Sequence, residues 1–272
     1  MKLFKQILSY LILTAAALWM LFPFVWMLST SFKTNMGVMA MPPRLIPQPF
    51  ILDNYQRVAD AFPVGRFFAN SLIVSVIGTS ATLITSSMAA YAFARIQWKG
   101  RESVFLLYLA TLMIPQQVTL TPLFILMKLM HWTDTYQALI LPGAFSAFGT
   151  FLLRQNFLTL PRALEEAAFV DGASHWTVYS RIVLPLVKPS LSALAVFTFM
   201  ANWNSFLWPL VITSDPRHMT LPLGLATLQG QYSTEWNLVM AGAVLNVLPM
   251  ILAYLVAQQQ FVKGVTLSGV KG

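Results

Sequence analysis

The sequence predicts an all-α integral membrane protein with six transmembrane helices. Of its 272 residues, 57% are hydrophobic and only 10% are charged, which leaves too little polar surface to cover a soluble domain. A helix rises about 1.5 Å per residue and the hydrocarbon core is roughly 30 Å thick, so each span needs about 20 mostly apolar residues. Such segments occur at approximately residues 7–28, 69–94, 103–127, 137–154, 190–213 and 237–257.

The first span follows Lys2 and Lys5, an arrangement that also fits a secretory signal peptide. Its apolar run continues through residues 18–22, beyond the usual length of a signal-peptide core, and five more spans follow. A retained first helix is therefore favoured over a cleaved one.

Prolines lie within two of the later spans. Pro115 and Pro122 fall in the third span, and Pro209 falls near the end of the fifth. Neighbouring membrane helices can satisfy the carbonyl groups that proline frees, so kinks are expected at these positions.

The distribution of lysine and arginine favours cytoplasmic N- and C-termini. With that orientation, the inner segments hold eleven of the 17 basic residues and the outer segments hold six. Four of those six lie in the long first loop, where the bias is diluted.

Two loops are long. The first, about residues 29–68, is rich in proline and then carries residues 52–58, which fit either a short helix at the membrane surface or a simple spacer. The second, about residues 155–189, is a polar island between the fourth and fifth spans. The orientation places it in the cytoplasm.

The polar island predicts a helix, a turn and a second helix. Pro161 suits a first helical turn, and Glu165 and Glu166 lie near the favourable positive end of a helix from about residue 160 to 170. Gly172 allows a backbone turn that other residues rarely adopt, and Ser174 can cap the second helix.

The second helix is expected to end before Pro185. Four of its side chains are predicted to share one face: Trp176, Tyr179, Ile182 and Val183. An amphipathic helix of this kind can also lie on the membrane or on the adjacent spans.

Several function classes are disfavoured by what the sequence lacks. It has no cysteine, and its three histidines lie far apart, so we expect no metal site. The net charge of +8 comes from residues that flank apolar spans and form no stripe, which argues against nucleic-acid binding. The dipeptide Gly-Lys does not occur, so the chain has no phosphate loop.

The sequence also bears on membrane proteins of other classes. A secondary transporter or channel would be expected to carry ionisable residues within its spans, and these are nearly free of them. An intramembrane enzyme would need a nucleophile or metal cluster, which is not visible. A membrane scaffold stays open on composition but would leave the polar island unexplained.

The polar island resembles the coupling loop of bacterial ABC importer permeases. The residues that carry this resemblance are Glu165, Glu166, Ala167, Ala168, Asp171, Gly172, Ala173, Tyr179, Leu184 and Pro185. Further similar segments are residues 70–72, 89–95, 114–117, 203–209, 261–264 and 269–272. Together they resemble the carbohydrate-uptake family, in particular the second permease of the maltose and glycerol-3-phosphate type. The sequence differs at Gln259 and Gln260, where the family often has an arginine and an aromatic residue.

The resemblance implies a fold and an assembly. The chain would be a single transmembrane domain over residues 1–272, with its core at about 69–258 and the coupling loop at about 155–189. Its partners would be a second homologous permease, two cytoplasmic ABC ATPase subunits, an extracytoplasmic solute-binding protein and membrane lipid. The chain would bind no cofactor, because ATP and magnesium belong to the ATPase subunits. Its location would be the bacterial cytoplasmic (inner) membrane.

The resemblance also implies a function with candidate sites. The chain would form half of the path of an ATP-driven carbohydrate importer; an alternative solute is glycerol 3-phosphate or another anion, and a secondary transporter or channel is the alternative class. Candidates for the solute path are Gln116, Gln117, Asn202, Trp203, Asn204 and Trp208. For Trp203 and Asn204, packing within the membrane helices is slightly favoured over lining the path. Candidates for contact with the binding protein are Gln229, Gln231, Tyr232 and Glu235.

Overall fold

A computed structural model describes the backbone of residues 2–230 and 234–269, and the side chains of residues 4–230, 234–255 and 258. Every regular element in those ranges is helical, and the pairing of Gln229 with Thr234 is an isolated bridge. The all-α prediction is confirmed for this part of the chain.

In chain order, the helices are α1 (Lys2–Ser31), α2 (Asn35–Val38), α3 (Asp53–Ala61), α4 (Val64–Arg95), α5 (Arg101–Ala110), α6 (Gln116–Leu129), α7 (Tyr136–Ile140), α8 (Ala147–Thr159), α9 (Ala163–Val170), α10 (His175–Thr177), α11 (Leu184–Leu186), α12 (Lys188–Trp203), α13 (Leu207–Ile212), α14 (Leu221–Ala226) and α15 (Trp236–Gly269). Two 3-10 turns, Thr111–Met113 and Leu141–Ala144, and one π-helical turn, Val178–Val183, continue α5, α7 and α10.

Within the described ranges, three helices are long and apolar enough to cross a membrane alone. They are α1, α4 and α15, which contain the predicted first, second and sixth spans. The side chains of α1 from Phe4 to Val25 are exposed, as expected of a helix whose surroundings are lipid or a partner chain.

Other apolar segments are pairs of shorter helices joined at a bend. Between the α5 segment, ending at Met113, and α6 the chain turns by 99° at Pro115, which confirms the kink predicted there. Pro122 lies inside α6, which continues through it. The α7 segment and α8 meet at a bend of 41°.

The bend before α8 frees carbonyl groups that side chains of α4 satisfy. Thr82 donates its hydroxyl hydrogen to the carbonyl oxygen of Gly143 at 3.0 Å, and Thr85 donates to that of Ala144 at 2.5 Å. This is the compensation that a broken helix requires inside a membrane.

The predicted fifth span is interrupted. Helix α12 ends at Trp203 and α13 begins at Leu207, so the break precedes Pro209. At its other end, α12 leaves the His175–Leu186 segment at an angle of 79°.

The chain divides into two compact units. The first comprises Met1–Arg66 and Leu223–Pro249, and the second comprises Phe67–Pro222 and Met250–Gly272. In the first unit the buried side chain of Asn54, on α3, donates to the carbonyl oxygens of Ser31 and Lys33 at 2.8 Å each and accepts from Asn237 at 2.8 Å. Residues 52–58 fitted either a short helix or a spacer in the sequence. Residues 53–58 belong to α3, and the buried amide of Asn54 holds this helix in place.

In the second unit, small residues allow helices α4, α8 and α12 to approach closely. A Cβ atom at Gly149 would lie 2.7 Å from Ser86 Oγ on α4 and 3.1 Å from a methyl group of Leu194 on α12. A Cβ atom at Gly78 would lie 3.0 Å from the amide nitrogen of Asn202. Glycine at helix crossings is a common means of packing membrane helices.

Candidate functional site

The polar island folds as the predicted helix, turn and second helix. Helix α9 ends in a Schellman arrangement, in which the backbone N–H of Gly172 donates to Phe169 O at 3.0 Å and that of Ala173 donates to Ala168 O at 2.9 Å. Gly172 has a φ of +81°, the left-handed conformation that favours glycine. The hydroxyl of Ser174 then accepts from the N–H of Thr177 at 3.2 Å and caps α10.

The second helical segment differs from the prediction in two respects. It does not end before Pro185, because a π-helical turn over Val178–Val183 leads directly into α11, where Pro185 occupies an early position that needs no donor. The wider turn also shifts the buried face, so that Val178, Tyr179 and Val183 are buried whereas Trp176 is 63% exposed.

A buried ion pair fastens α9 to the end of α4. Arg95 Nε lies 2.8 Å from Glu165 Oε1, and the two side chains are only 5% and 8% exposed. The same guanidinium donates to the carbonyl oxygens of Phe157 at 2.6 Å and Leu160 at 2.9 Å. Arg95 therefore joins α4, the end of α8 and α9 at one point.

The environment of Glu165 opposes its ionisation in one way and favours it in another. Burial raises the pKa of the Glu165 carboxyl above its ordinary value, and the positive charge of Arg95 partly offsets this shift. Arg162 and His175 favour the charged form as well, but Arg95 makes the largest such contribution and is the group in direct contact with the carboxylate.

The second helical segment is fastened by Tyr179. Its hydroxyl group lies 2.7 Å from that of Ser87 on α4, and its ring lies 5.3 Å from the ring of Tyr91. Tyr91 in turn contacts Phe157 edge to face at 6.4 Å. Tyr91, Phe157 and Tyr179 belong to one buried hydrophobic cluster, whose other members are Ala90, Ala94, Leu153, Val178, Val183, Val187 and Leu194.

The opposite side of the helix–turn–helix is exposed. Glu166, Asp171 and Gly172 are exposed, as are the apolar side chains of Val170, at 88%, and Trp176. The ring of Phe169 contacts His175 edge to face at 4.9 Å and bridges the two helices. The site thus has a buried side that packs against α4 and the end of α8, and an exposed side with both acidic and apolar groups.

The remaining predicted residues of this loop differ in their exposure to solvent. Ala167 and Pro185 are exposed, and Ala168, Ala173 and Leu184 are partly buried. Of the two adjacent glutamates, the structure places Glu165 in the interior contact and Glu166 at the surface.

A second arginine anchor was not predicted as a site residue. Arg154 on α8 donates to Glu102 at 2.7 Å and to the carbonyl oxygen of Phe93 at 3.2 Å, and its guanidinium lies 4.1 Å from the ring of Phe105. In the sequence, Arg95 and Arg154 are lone basic residues at the ends of apolar spans, and Arg95 also closes the 89–95 segment that resembles the family; neither signal identifies a partner.

The predicted solute-path residues do not form a single cluster. Gln116 and Gln117 are exposed at the start of α6. Trp203 is 1% exposed and stacks on Phe199 with ring centres 5.8 Å apart. Trp208 is buried and donates to the carbonyl oxygen of Ala138 at 2.8 Å. Both indole rings are therefore buried inside the protein.

The two asparagines flanking Trp203 have different surroundings. Asn204 is exposed and donates to Met200 O at 2.9 Å and to Met250 Sδ at 3.0 Å. Asn202 is partly buried and lines a cavity of about 350 Å³ in the second unit. A cavity of that size lies within the range of small-molecule sites.

This cavity lies between α4, the bend before α8, and α12. Its lining is Thr82, Gly143, Ser146, Phe148, Leu194, Phe197, Thr198, Ala201 and Asn202, all of them uncharged. Sequence reasoning found only Asn202, because the other residues come from three separate segments that the bend brings together.

The predicted contacts for a binding protein lie in the first unit. Gln229 is exposed, and Glu235 pairs with Arg57 on α3 at 2.5 Å. Gln231 and Tyr232 lie outside the described residues. The ion pair links the segment before α15 to α3.

Comparison with known proteins places these features in context. A family model described as the binding-protein-dependent transport system inner membrane component matches residues 81–266. The arabinooligosaccharides transport system permease protein AraQ of Halalkalibacterium halodurans is 37% identical over 254 residues, covering 92% of this chain and 91% of that protein. The lactose transport system permease protein LacG of Rhizobium radiobacter is 35% identical, covering 95% and 94%. The trehalose/maltose transport system permease protein MalG of Thermococcus litoralis is 34% identical, covering 98% and 99%.

Solved structures show the same fold. A chain of a bacterial ABC transporter involved in importing the acidic polysaccharide alginate superposes with a TM-score of 0.82 at 24% identity, covering 95% of this chain and 96% of that chain. A chain of the alginate transporter in complex with its pentasaccharide-bound periplasmic protein gives a TM-score of 0.68 at 16% identity, covering 94% of both chains.

Proposed function

Because the chain belongs to the family of binding-protein-dependent transport system inner membrane components, we propose that it forms half of the solute path of an ATP-driven carbohydrate importer. Transport is the activity of the family, and the chain is a permease subunit rather than an enzyme.

The proposed arrangement in the membrane has six spans and cytoplasmic N- and C-termini. Three long helices and three bent pairs supply enough apolar length for six crossings, and the excess of basic residues on the inner side supports the orientation. We propose one transmembrane domain over residues 1–272, with its core at about 69–258, in the inner membrane of a bacterium.

The proposed coupling loop comprises residues 155–189. The observation that carries this proposal is that the helix–turn–helix has one buried side and one exposed side. The Arg95–Glu165 pair and Tyr179 attach the buried side to α4. Glu166 and the turn at Gly172 lie on the exposed side. A surface with exposed apolar and acidic groups at one end of a membrane protein suits contact with another protein. The partner we propose is a cytoplasmic ATPase subunit.

The proposed assembly contains two permease chains, two ATPase subunits and an extracytoplasmic solute-binding protein. The family description and the alginate transporter complex support the binding protein, and the absence of a Gly-Lys dipeptide supports a separate ATP-binding chain. ATP and magnesium would be bound by the ATPase subunits. Closure of those subunits on ATP would move both coupling loops, while the loaded binding protein would favour the outward-facing state.

The proposed solute is an uncharged carbohydrate. The names of the relatives refer to arabinooligosaccharides, lactose, trehalose and maltose. The 350 Å³ cavity offers hydroxyl and amide groups together with two phenylalanine rings and carries no charged side chain. An anionic solute such as glycerol 3-phosphate would have to find its cation on the partner permease, which makes it the less favoured alternative.

The test is the ATPase activity of the assembly that co-purifies with the tagged chain, measured in lipid with its binding protein and a panel of sugars, polyols and sugar phosphates. We expect one neutral sugar to stimulate hydrolysis. Glu166→Lys and Gly172→Pro should leave the chain inserted but abolish that stimulation, because both changes lie on the exposed side. Full transport in both variants would refute the coupling proposal, and absence of any ATPase subunit would refute the importer proposal.

A further inference from the structure

Lys33 is a buried cation that lacks a carboxylate partner among the side chains that the structure describes. It follows α1 by two residues and is only 3% exposed. Its ammonium nitrogen lies 4.3 Å from the centre of the Trp26 ring, a contact that replaces only part of the lost hydration. Burial lowers the pKa of Lys33, because the charged ammonium form loses hydration. A buried ammonium group ordinarily has an anion beside it.

A small cavity beside Lys33 could accept such an anion. It has a volume of about 30 Å³ and is lined by Lys33, Gly37, Ala40, Arg44, Ile46 and Gln48. Two of these residues are cations and none is an acid. Arg44 is exposed and donates to Gln48 Oε1 at 3.4 Å, so it borders the open side while Lys33 closes the inner side. The volume holds one or two water-sized atoms, such as the oxygens of an anion, and not a sugar ring.

The position of the cavity indicates where the anion comes from. Helix α1 has 30 residues and is therefore about 45 Å long, which matches the thickness of a bilayer with its headgroup layers. Its apolar side chains are exposed from Phe4 to Val25, so lipid can approach the helix. Trp26 near its end is the kind of residue found at headgroup level. On these grounds we expect the cavity to lie at the level of the lipid phosphates.

We propose that Lys33 and Arg44 bind the phosphate group of an anionic phospholipid at the end of α1. Lys33 would hold one phosphate oxygen inside the cavity, and Arg44 would hold a second from the open side, because a guanidinium group can donate two parallel hydrogen bonds to a phosphate. The site goes beyond the transport function, and it does not depend on which solute is carried.

The test compares the assembled transporter in nanodiscs of phosphatidylcholine alone, of phosphatidylcholine with phosphatidylglycerol, and of phosphatidylcholine with inorganic phosphate in the buffer. Native mass spectrometry measures retained phosphatidylglycerol, and thermal unfolding measures protection. The variants are Lys33→Gln and Arg44→Gln, and Arg66→Gln is a control that removes an exposed charge elsewhere in the same unit. Since Arg44 is exposed, its variant should fold even if the Lys33 variant does not.

Wild type and Arg66→Gln should retain phosphatidylglycerol, and each site variant should lose about tenfold in its affinity, the effect of one charged hydrogen bond. Equal retention by all four proteins would overturn the proposal. Equal protection by inorganic phosphate without the lipid would mean a free-anion site instead. Loss of stimulation by the binding protein, with lipid retention unchanged, would mean that a carboxylate of that protein occupies the cavity.

Discussion

Replacing Arg95 by methionine is expected to weaken the attachment of α9 to α4 more than replacing Glu165. The change keeps much of the side-chain volume but leaves the Glu165 carboxylate buried without its cation. Breaking a buried pair in this way costs about 3–5 kcal/mol, and the 5% and 8% exposure of the two side chains leaves little solvent to reduce that figure. The carbonyl groups of Phe157 and Leu160 also lose a donor, which adds about 1 kcal/mol or more.

The double variant distinguishes this reasoning from a simple loss of packing. In Glu165→Leu the guanidinium of Arg95 keeps its two carbonyl partners, so we expect a smaller loss, about 2 kcal/mol. Arg95→Met combined with Glu165→Leu leaves no unpaired charge and should therefore be more stable than Arg95→Met alone. The coupling between the two positions should be about 2 kcal/mol.

The pH dependence provides a second check. Burial already raises the pKa of Glu165, and removal of Arg95 should raise it further. In the Arg95→Met protein the carboxyl group therefore takes up a proton at a higher pH in the folded state than in the unfolded state. The free-energy cost of the unpaired, charged carboxylate is therefore present above the raised pKa. This cost should shrink as the pH falls through that pKa.

The assay is chemical unfolding of the detergent-solubilised chain, with proteolysis of the loop as a local readout. Trp176, which is largely exposed in the loop, should change its fluorescence when the loop detaches. If Arg95→Met proves neutral, or if the double variant is less stable than Arg95→Met, the buried pair does not hold the loop.

Two further changes test the packing of the units. Gly149→Ala would place a methyl group 2.7 Å from Ser86 Oγ and should cost about 1–3 kcal/mol in the free energy of unfolding, whereas Gly65→Ala, with open space around it, should be neutral or stabilising; equal effects would contradict the close helix crossing. Asn54→Leu removes three buried hydrogen bonds, including that from Asn237, and should cost about 2–4 kcal/mol by the same measurement. Wild-type stability of that variant would show that the amide network does not hold α3.

Local chemistry made the helix–turn–helix predictable. Gly172 and Ser174 are specialised for a left-handed turn and a helix cap, and each determines the backbone through contacts within a few residues. The apolar runs located the long helices for the same reason, since burial in lipid needs only a local stretch of sequence.

Features that depend on distant partners could not be predicted in this way. The π-helical turn at Val178–Val183 places Tyr179 against Ser87, a residue more than ninety positions earlier, and periodicity alone assumed a regular helix. Likewise, the break after Trp203 and the cavity at Asn202 depend on how α12 meets α4 and the bend before α8. A prediction from the residues of one segment does not contain that information.

The neighbouring glutamates illustrate what the structure adds to the proposed mechanism. Successive residues on a helix point about 100° apart, so Glu165 and Glu166 cannot both face the same surface. Arg95 pairs with Glu165 in the interior, and Glu166 remains exposed at the surface. A displacement applied by an ATPase subunit at Glu166 would then pass through α9 to Glu165, and from there through Arg95 to α4 and to the end of α8. This contact is a charged pair with little access to water, so separating the two side chains is costly. The loop should therefore move with the membrane helices rather than independently of them.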